Sequence, residues 1–227
     1  MSMRVIIFGA SGMVGEGVLL TALADERVQS VLVVGRRPCG VTHPKLREIL
    51  HTDLFDLHAF DEQLRGYDAC YFCLGVSSVG MKEEAYIRVT YDLTMSVATL
   101  LASVNPGMTF CYVSGQATDG TEQGRLMWAR VKGRTENHLS ALPFRAVYCF
   151  RPGLMKPVPG QHNVKMLFRI AGGLFPLVRA VFPKSVCTLA DLGRAMINVT
   201  TQDAERRVLE NPDITAVAAA TRTHESR

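Results

Sequence analysis

Residues 9–15, Gly-Ala-Ser-Gly-Met-Val-Gly, follow directly on the apolar run Arg4 to Phe8 and lead into Val14, Val18, Leu19, Ala22 and Leu23 at helical spacing. A β-branched run that ends in glycines and passes at once into helical periodicity predicts a strand, a tight turn and a helix start. Glycine permits the sharp turn and lets the main chain approach a ligand closely. The helix start adds unpaired N–H groups and the positive end of its dipole. Gly9, Ser11, Gly12, Met13, Val14 and Gly15 therefore form a candidate cradle for the pyrophosphate of a dinucleotide. A plain turn is the other reading of the same glycines.

The remainder of the chain repeats the strand and helix alternation. Strand-like runs at 3–9, 31–35, 47–51, 69–74, 109–114 and 145–151 alternate with segments of helical period at 13–24, 55–64, 83–104 and 121–142. Asn105-Pro106-Gly107 stops the third of these helices. Such alternation predicts a parallel sheet covered by helices on both faces, a doubly wound α/β fold of Rossmann type. The 227 residues, 48% of them hydrophobic, suit one domain. Residues 1–153 would form the cofactor-binding core and 154–220 a small substrate-side extension. Met1-Ser2-Met3 leads straight into the first strand with no secretory pattern, so a cytoplasmic location is expected. Four of the six cysteines, Cys70, Cys73, Cys111 and Cys149, sit in apolar strand-like runs. Buried thiols suit that compartment, and no metal site is expected, because a strand turns the Cys70 and Cys73 side chains to opposite faces.

In folds of this kind, the end of the second strand selects the cofactor. A carboxylate there bonds the ribose 2′-hydroxyl of NAD, whereas arginine accommodates the additional phosphate of NADP. This chain carries Gly35-Arg36-Arg37, so NADP(H) is expected. Two solvated arginines are the alternative. Asp53, just after the third strand, could accept from an adenine amino group or simply form a turn.

With these pieces placed, the chain resembles the atypical short-chain dehydrogenase/reductases, in particular the Tat-interacting-protein-like oxidoreductases. The resemblance runs through GASGMVG, VVGRR, YFCLGVS, EEAYIRVTYDLT, Val113-Ser114, VKGRTE, FRPG, DLGRAMINV and VLENPDI in this order. It implies an NADPH-binding Rossmann domain with Cys73, Leu74, Gly75 and Val76 along the cofactor and Arg151, Pro152, Gly153 and Leu154 beside its nicotinamide end. It also implies Ser, Tyr and Lys as the reacting constellation, with the Tyr four residues before the Lys. Ser114 matches the Ser, which positions the substrate oxygen, and Lys132 the Lys, which holds the ribose. Trp128 stands where the Tyr belongs. The i,i+4 spacing puts Trp128 and Lys132 on one helix face, and an indole N–H donates a hydrogen bond without serving as an acid. Three readings remain open: reduction with another proton source, NADPH binding without turnover, or a tyrosine from elsewhere, Tyr86, Tyr91 or Tyr148. Trp128 as a core aromatic and Lys132 as a surface partner of Glu136 are the structural alternatives.

From Asn137 to Ala190 there is no Asp or Glu, yet Arg145, Arg151, Lys156, Lys165, Arg169, Arg179 and Lys184 lie within it. These seven positive charges exceed the net +4 of the whole chain, so the remainder is acidic. Leu167, Phe168, Ala171, Leu174, Phe175, Val178, Val181 and Phe182 recur at helical spacing. The expected element is a pair of amphipathic helices closing a substrate pocket. Attraction of an anionic substrate and weak peripheral membrane contact through 164–184 are its further readings, and Arg169, Pro176 and Arg179 argue against a membrane span. No nucleic-acid motif accompanies the charge. A helix is expected at 191–199, capped by Thr188 or Asp191. The expected function is NADPH binding coupled to reduction of a small apolar or conjugated carbonyl or quinone. A non-catalytic NADPH-responsive binding protein is the main rival, and a sugar-nucleotide epimerase is disfavoured by the missing Tyr.

Overall fold

A computed structural model describes residues 2–164 and 185–220. Alternating apolar positions build its centre. Strand β1 (Met3–Phe8) turns Val5 and Ile7 toward one face and Ile6 and Phe8 toward the other, and all four are fully buried. Val5 and Ile7 join Val31, Val33 and Tyr71 in one core cluster. Ile6 and Phe8 join Leu32, Val34 and Phe72 in the second. Burial on both faces is what a central strand of a parallel sheet requires.

Seven strands form that sheet: β1, β2 (Val28–Gly35), β3 (Leu46–Leu50), β4 (Ala69–Phe72), β5 (Thr109–Val113), β6 (Ala146–Arg151) and β9 (Val208–Glu210). Their order is β3-β2-β1-β4-β5-β6-β9, and every neighbouring pair is parallel. The chain leaves β1 toward β2 on one side and continues from β4 on the other. The carboxyl ends of β1 and β4 therefore flank the switch point where doubly wound sheets bind ligands.

Helix α1 (Met13–Ala24) starts at Gly12, whose N–H donates to the Gly9 carbonyl at 3.0 Å. The helix then packs closely against α6 (Leu189–Thr201), where a Cβ on Gly193 would lie 2.7 Å from the Cβ of Thr21. Thr188 caps α6 through a reciprocal capping box with Asp191, as the sequence led us to expect. On the other face lie α3 (Glu83–Ile87), a wide π turn (Arg88–Asp92), α4 (Leu93–Val104) and α5 (Met127–Ser140).

Two expected helices are shorter than their apolar patterns. The 55–64 segment forms only one 3-10 turn (His58–Phe60) and the single turn α2 (Asp61–Leu64). The carboxylates of Asp53 and Asp56 accept the N–H groups of Phe55 and His58, holding turns where a helix would begin. The 121–142 segment becomes helical only at Met127, because Asp119 accepts from Thr121 and Gly124 and holds the preceding loop. Residues grouped with the substrate side supply β9 and α7 (Asn211–Ala219) to the central fold, while β7 (Leu154–Lys156) pairs in parallel with β8 (Val186–Thr188) in a separate small ribbon. The amphipathic pattern at 167–182 lies outside the described residues. Among the described residues no helix is long and apolar enough to cross a membrane.

Candidate functional site

The glycine turn is shaped by close packing on two sides. A Cβ on Gly9, whose φ is +84°, would lie 2.7 Å from the Cys73 carbonyl carbon and 2.8 Å from the Leu74 nitrogen. A Cβ on Gly15 would lie 2.1 Å from the Gly9 carbonyl oxygen. Only glycine fits at either place. The first contact sets the turn against the Cys73-Leu74-Gly75-Val76 segment across the switch point, so two expected cofactor-binding stretches meet. Cys73 N–H bonds the Phe8 carbonyl at 3.0 Å, and burial pushes the Cys73 thiol up to about 12. Its thiol is therefore neutral and unreactive at ordinary pH. Gly75 and Val76 are exposed.

A cleft of about 330 Å³ opens beside this turn, lined by Ser11, Arg37, Pro38, Cys39, Gly40, His162 and Asn163. Arg37 reaches it, while Arg36 is exposed and does not line it. The nearby carboxylate of Glu48 is engaged in accepting the Cys39 N–H at 2.8 Å, which holds the turn that presents Arg37. Asp53 is exposed and its carboxylate accepts the Phe55 N–H at 2.9 Å, the turn-forming alternative of the two readings.

At the other end, α5 carries Trp128, Lys132 and Glu136 on successive turns of one face. The Trp128 ring edge comes within 3.9 Å of where a Cβ on Gly115 would sit, next to Ser114. Lys132 Nζ donates to the Ser114 carbonyl. Burial pushes the Lys132 ammonium down to about 8, against the pull of the Glu136 charge. Trp128 and Lys132 thus both stand against the end of β5.

Ser114 and Arg151 are drawn into a different arrangement from the expected one. The Ser114 hydroxyl lies 2.5 Å from Glu136 Oε1 and 3.1 Å from the Phe150 carbonyl, two acceptors for one hydrogen. Glu136, 3% exposed, also takes Arg151 Nε at 3.1 Å and Nη2 at 2.5 Å. Arg151 Nη1 reaches Glu210 at 3.2 Å, and its guanidinium is held well above the usual range, chiefly by the Glu136 hydrogen bonds. Glu136 is thus the hub of a buried charge cluster that occupies both groups. Its place eight residues after Trp128, on the same helix face, was the signal that could have found it. Pro152 is buried and accepts the Gln116 N–H, Gly153 donates to Asn211, and Leu154 is 36% exposed on β7. Of the tyrosines, Tyr86 is buried, Tyr91 bonds His138 at 2.6 Å, and Tyr148 bonds Asp203 and Ala204. The Tyr91 and Tyr148 hydroxyls bond these partners, and the Ser114 hydroxyl bonds Glu136 and the Phe150 carbonyl. Among the described residues no His, Cys, Asp or Glu cluster could hold a metal ion.

A seven-stranded parallel sheet, a glycine turn at its switch point and a lysine-bearing helix beside β5 define a dinucleotide-binding Rossmann domain of the short-chain dehydrogenase type. The chain belongs to the NAD dependent epimerase/dehydratase family, whose profile matches residues 5–134. It is 26% identical over 220 residues to Protein HTATIP2 of Rattus norvegicus, covering 92% of this chain and 87% of that protein. It is 27% identical over 184 residues to the mitochondrial protein fmp52-2 of Neosartorya fischeri, covering 77% and 76%. Among solved structures, the fold matches MoeE5 in complex with UDP-glucuronic acid and NAD, with a TM-score of 0.65, 20% identity and coverage of 91% and 75%. It also matches the ADP-L-glycero-D-manno-heptose-6-epimerase of Helicobacter pylori, with a TM-score of 0.67, 12% identity and coverage of 96% and 81%.

Proposed function

We propose that this chain is an NADP(H)-binding oxidoreductase that reduces a small apolar or conjugated carbonyl or quinone without a tyrosine acid. One observation carries the choice of cofactor: Arg37 and Ser11 line a single cleft beside the glycine turn, while the nearby carboxylate, Glu48, is tied to Cys39. A guanidinium in that cleft offers a planar pair of donors to a phosphate and nothing comparable to a ribose hydroxyl. The turn fits the group. Its backbone has no room for side chains at Gly9 and Gly15, so main-chain N–H groups at the start of α1 are left to face the pyrophosphate. When bound, the cofactor supplies the hydride.

At the nicotinamide end Trp128 offers a flat apolar wall, which favours conjugated substrates over charged ones. Lys132 holds the ribose, and its lowered pKa makes its ammonium a usable proton donor near neutral pH. Ser114, bound to Glu136, acts through the shape of the loop that it anchors. The same bond favours the second reading, an NADPH-responsive binding protein without turnover, because it leaves no hydroxyl proton free for a substrate oxygen.

NADPH titration with tryptophan fluorescence tests the placement, since Trp128 is the only tryptophan. Saturable quenching by NADPH, with at least about tenfold weaker response to NADH, is expected from one charged contact. Equal affinity for both refutes the cofactor assignment. NADPH oxidation is then followed against quinones, aldehydes and ketones for the wild type and Trp128→Tyr. Turnover by the wild type supports the reductase, whereas an inert wild type and an active variant establish the binding protein.

A further inference from the structure

Glu16 lies in the first turn of α1 and is 1% exposed, yet it has no part in the chemistry above. Its two carboxylate oxygens accept the His162 N–H at 2.7 Å and the Asn163 N–H at 2.8 Å. Gln161 adds a second pair of bonds: its Nε2 donates to the Met13 carbonyl at 2.7 Å and its Oε1 accepts the Val158 N–H at 2.6 Å. Gly17 makes room for this, because a Cβ there would lie 3.1 Å from Gln161 Oε1. A buried carboxylate is costly unless donors satisfy it, and here two main-chain N–H groups and the helix dipole do so. Residues 158–163 are therefore strapped across the N-terminal turn of α1. The strap brings His162 and Asn163 into the wall of the cleft that Ser11 and Arg37 line.

We infer that this strap completes the adenosine end of the dinucleotide site, with His162 and Asn163 joining Ser11 and Arg37 around the phosphate on the ribose 2′-oxygen. The inference rests on the NADP(H) reading and extends it to a part of the chain far from the glycine turn. His162 stands at the rim with its side chain 82% exposed, and its Nδ1 is 3.5 Å from Glu16 Oε1. The exposed ring can offer its second nitrogen to a ligand in the cleft. Asn163 contributes an amide with two donors. A phosphate dianion draws on every one of these groups, whereas a free 2′-hydroxyl draws on few of them. Glu16 acts as a positioning residue: it sets the strap and does not touch the ligand.

Adenosine 2′,5′-bisphosphate and 5′-AMP differ only by the 2′-phosphate, so calorimetry with the two isolates its recognition. His162→Ala is expected to weaken the bisphosphate about 5- to 30-fold and to leave 5′-AMP within about twofold, the worth of one charge-assisted hydrogen bond at an exposed rim. Glu16→Gln keeps one acceptor oxygen and turns an amide toward the other N–H. It is expected to erode the same preference while unfolding stays cooperative. Unchanged bisphosphate binding in His162→Ala overturns the inference, as does equal loss of both ligands, which would mean contact with the adenosine alone. If Arg37→Ala removes the preference and His162→Ala does not, NADP(H) binding stands and the strap has no part in it. If the wild type shows no preference, the NADP(H) reading itself falls.

Discussion

Lys132 is an ionisable group whose burial brings its titration into a pH range where the fold can be assayed. Its Nζ donates to the Ser114 carbonyl, and burial lowers its pKa from 10.5 to about 8. That interval corresponds to roughly 3 kcal/mol at about 1.4 kcal/mol per pKa unit. Below pH 8 the lysine is protonated in both folded and unfolded chains, and the full cost of burying the charge weighs on the fold. Between 8 and 10.5 the unfolded chain binds a proton that the folded chain has released, so stability rises with pH across this window. Lys132→Met keeps the methylene stem and removes the titration. Its loss of the Ser114 bond is independent of pH, so the change with pH is the diagnostic quantity. Urea unfolding at pH 7, 8.5 and 10.5 should show the wild type gaining about 2–3 kcal/mol on the variant, with other titrating groups cancelling in the difference. Carbon-13 NMR of the lysine Cε should report a midpoint near 8. A constant difference between the two proteins, or a midpoint above about 10, would refute the reasoning.

Glu136→Ala should lower stability by about 2–4 kcal/mol, because Arg151 keeps only Glu210 and the Ser114 hydroxyl only the Phe150 carbonyl. The melting temperature should fall by roughly 5–15 °C, and a loss under about 1 kcal/mol would mean that the cluster is not the buried hub described. Gly15→Ala puts a methyl group 2.1 Å from the Gly9 carbonyl oxygen and must push α1 away from the turn. NADP+ affinity should drop by more than about tenfold with little change in far-UV circular dichroism, and undiminished affinity would separate the turn from the cofactor.

The fold was legible because its signals are long and repeated. Five of the six main strands carry apolar residues whose alternate side chains feed opposite core clusters, as Val5 to Phe8 of β1 do, while the edge strand β3 buries only Ile49. The helices that shrank did so through single side chains. Asp53, Asp56 and Asp119 each satisfy N–H groups that a helix would otherwise leave open, and such local competition is invisible to periodicity. Strands β7, β8 and β9 are three residues each, too short to show a pattern, and their pairings depend on segments far away in sequence.

The candidate site divides along the same line. The tight packing at Gly9 and Gly15 and the place of Arg37 at a cleft could be read from the sequence because they follow from the residues adjoining them: a strand before, a helix after, a strand end beneath. Ser114 could be assigned a place by its match to a family pattern, but its hydroxyl is governed by Glu136 and Phe150, and Arg151 by Glu136 and Glu210. Glu16 looked like an ordinary acid in the first turn of a helix and is in fact the anchor of residues 146 and 147 positions away. Position in a motif therefore identifies where the backbone turns and packs, while the partner that claims each side chain decides what that side chain can do. For this chain the distinction has a chemical consequence. Its cofactor turn is formed by backbone and close packing, and that makes it insensitive to the loss of the tyrosine. The proposed reducing chemistry would depend on side chains already engaged with one another, so under that proposal Trp128, Lys132 and the Glu136 cluster decide whether a bound dinucleotide is ever consumed.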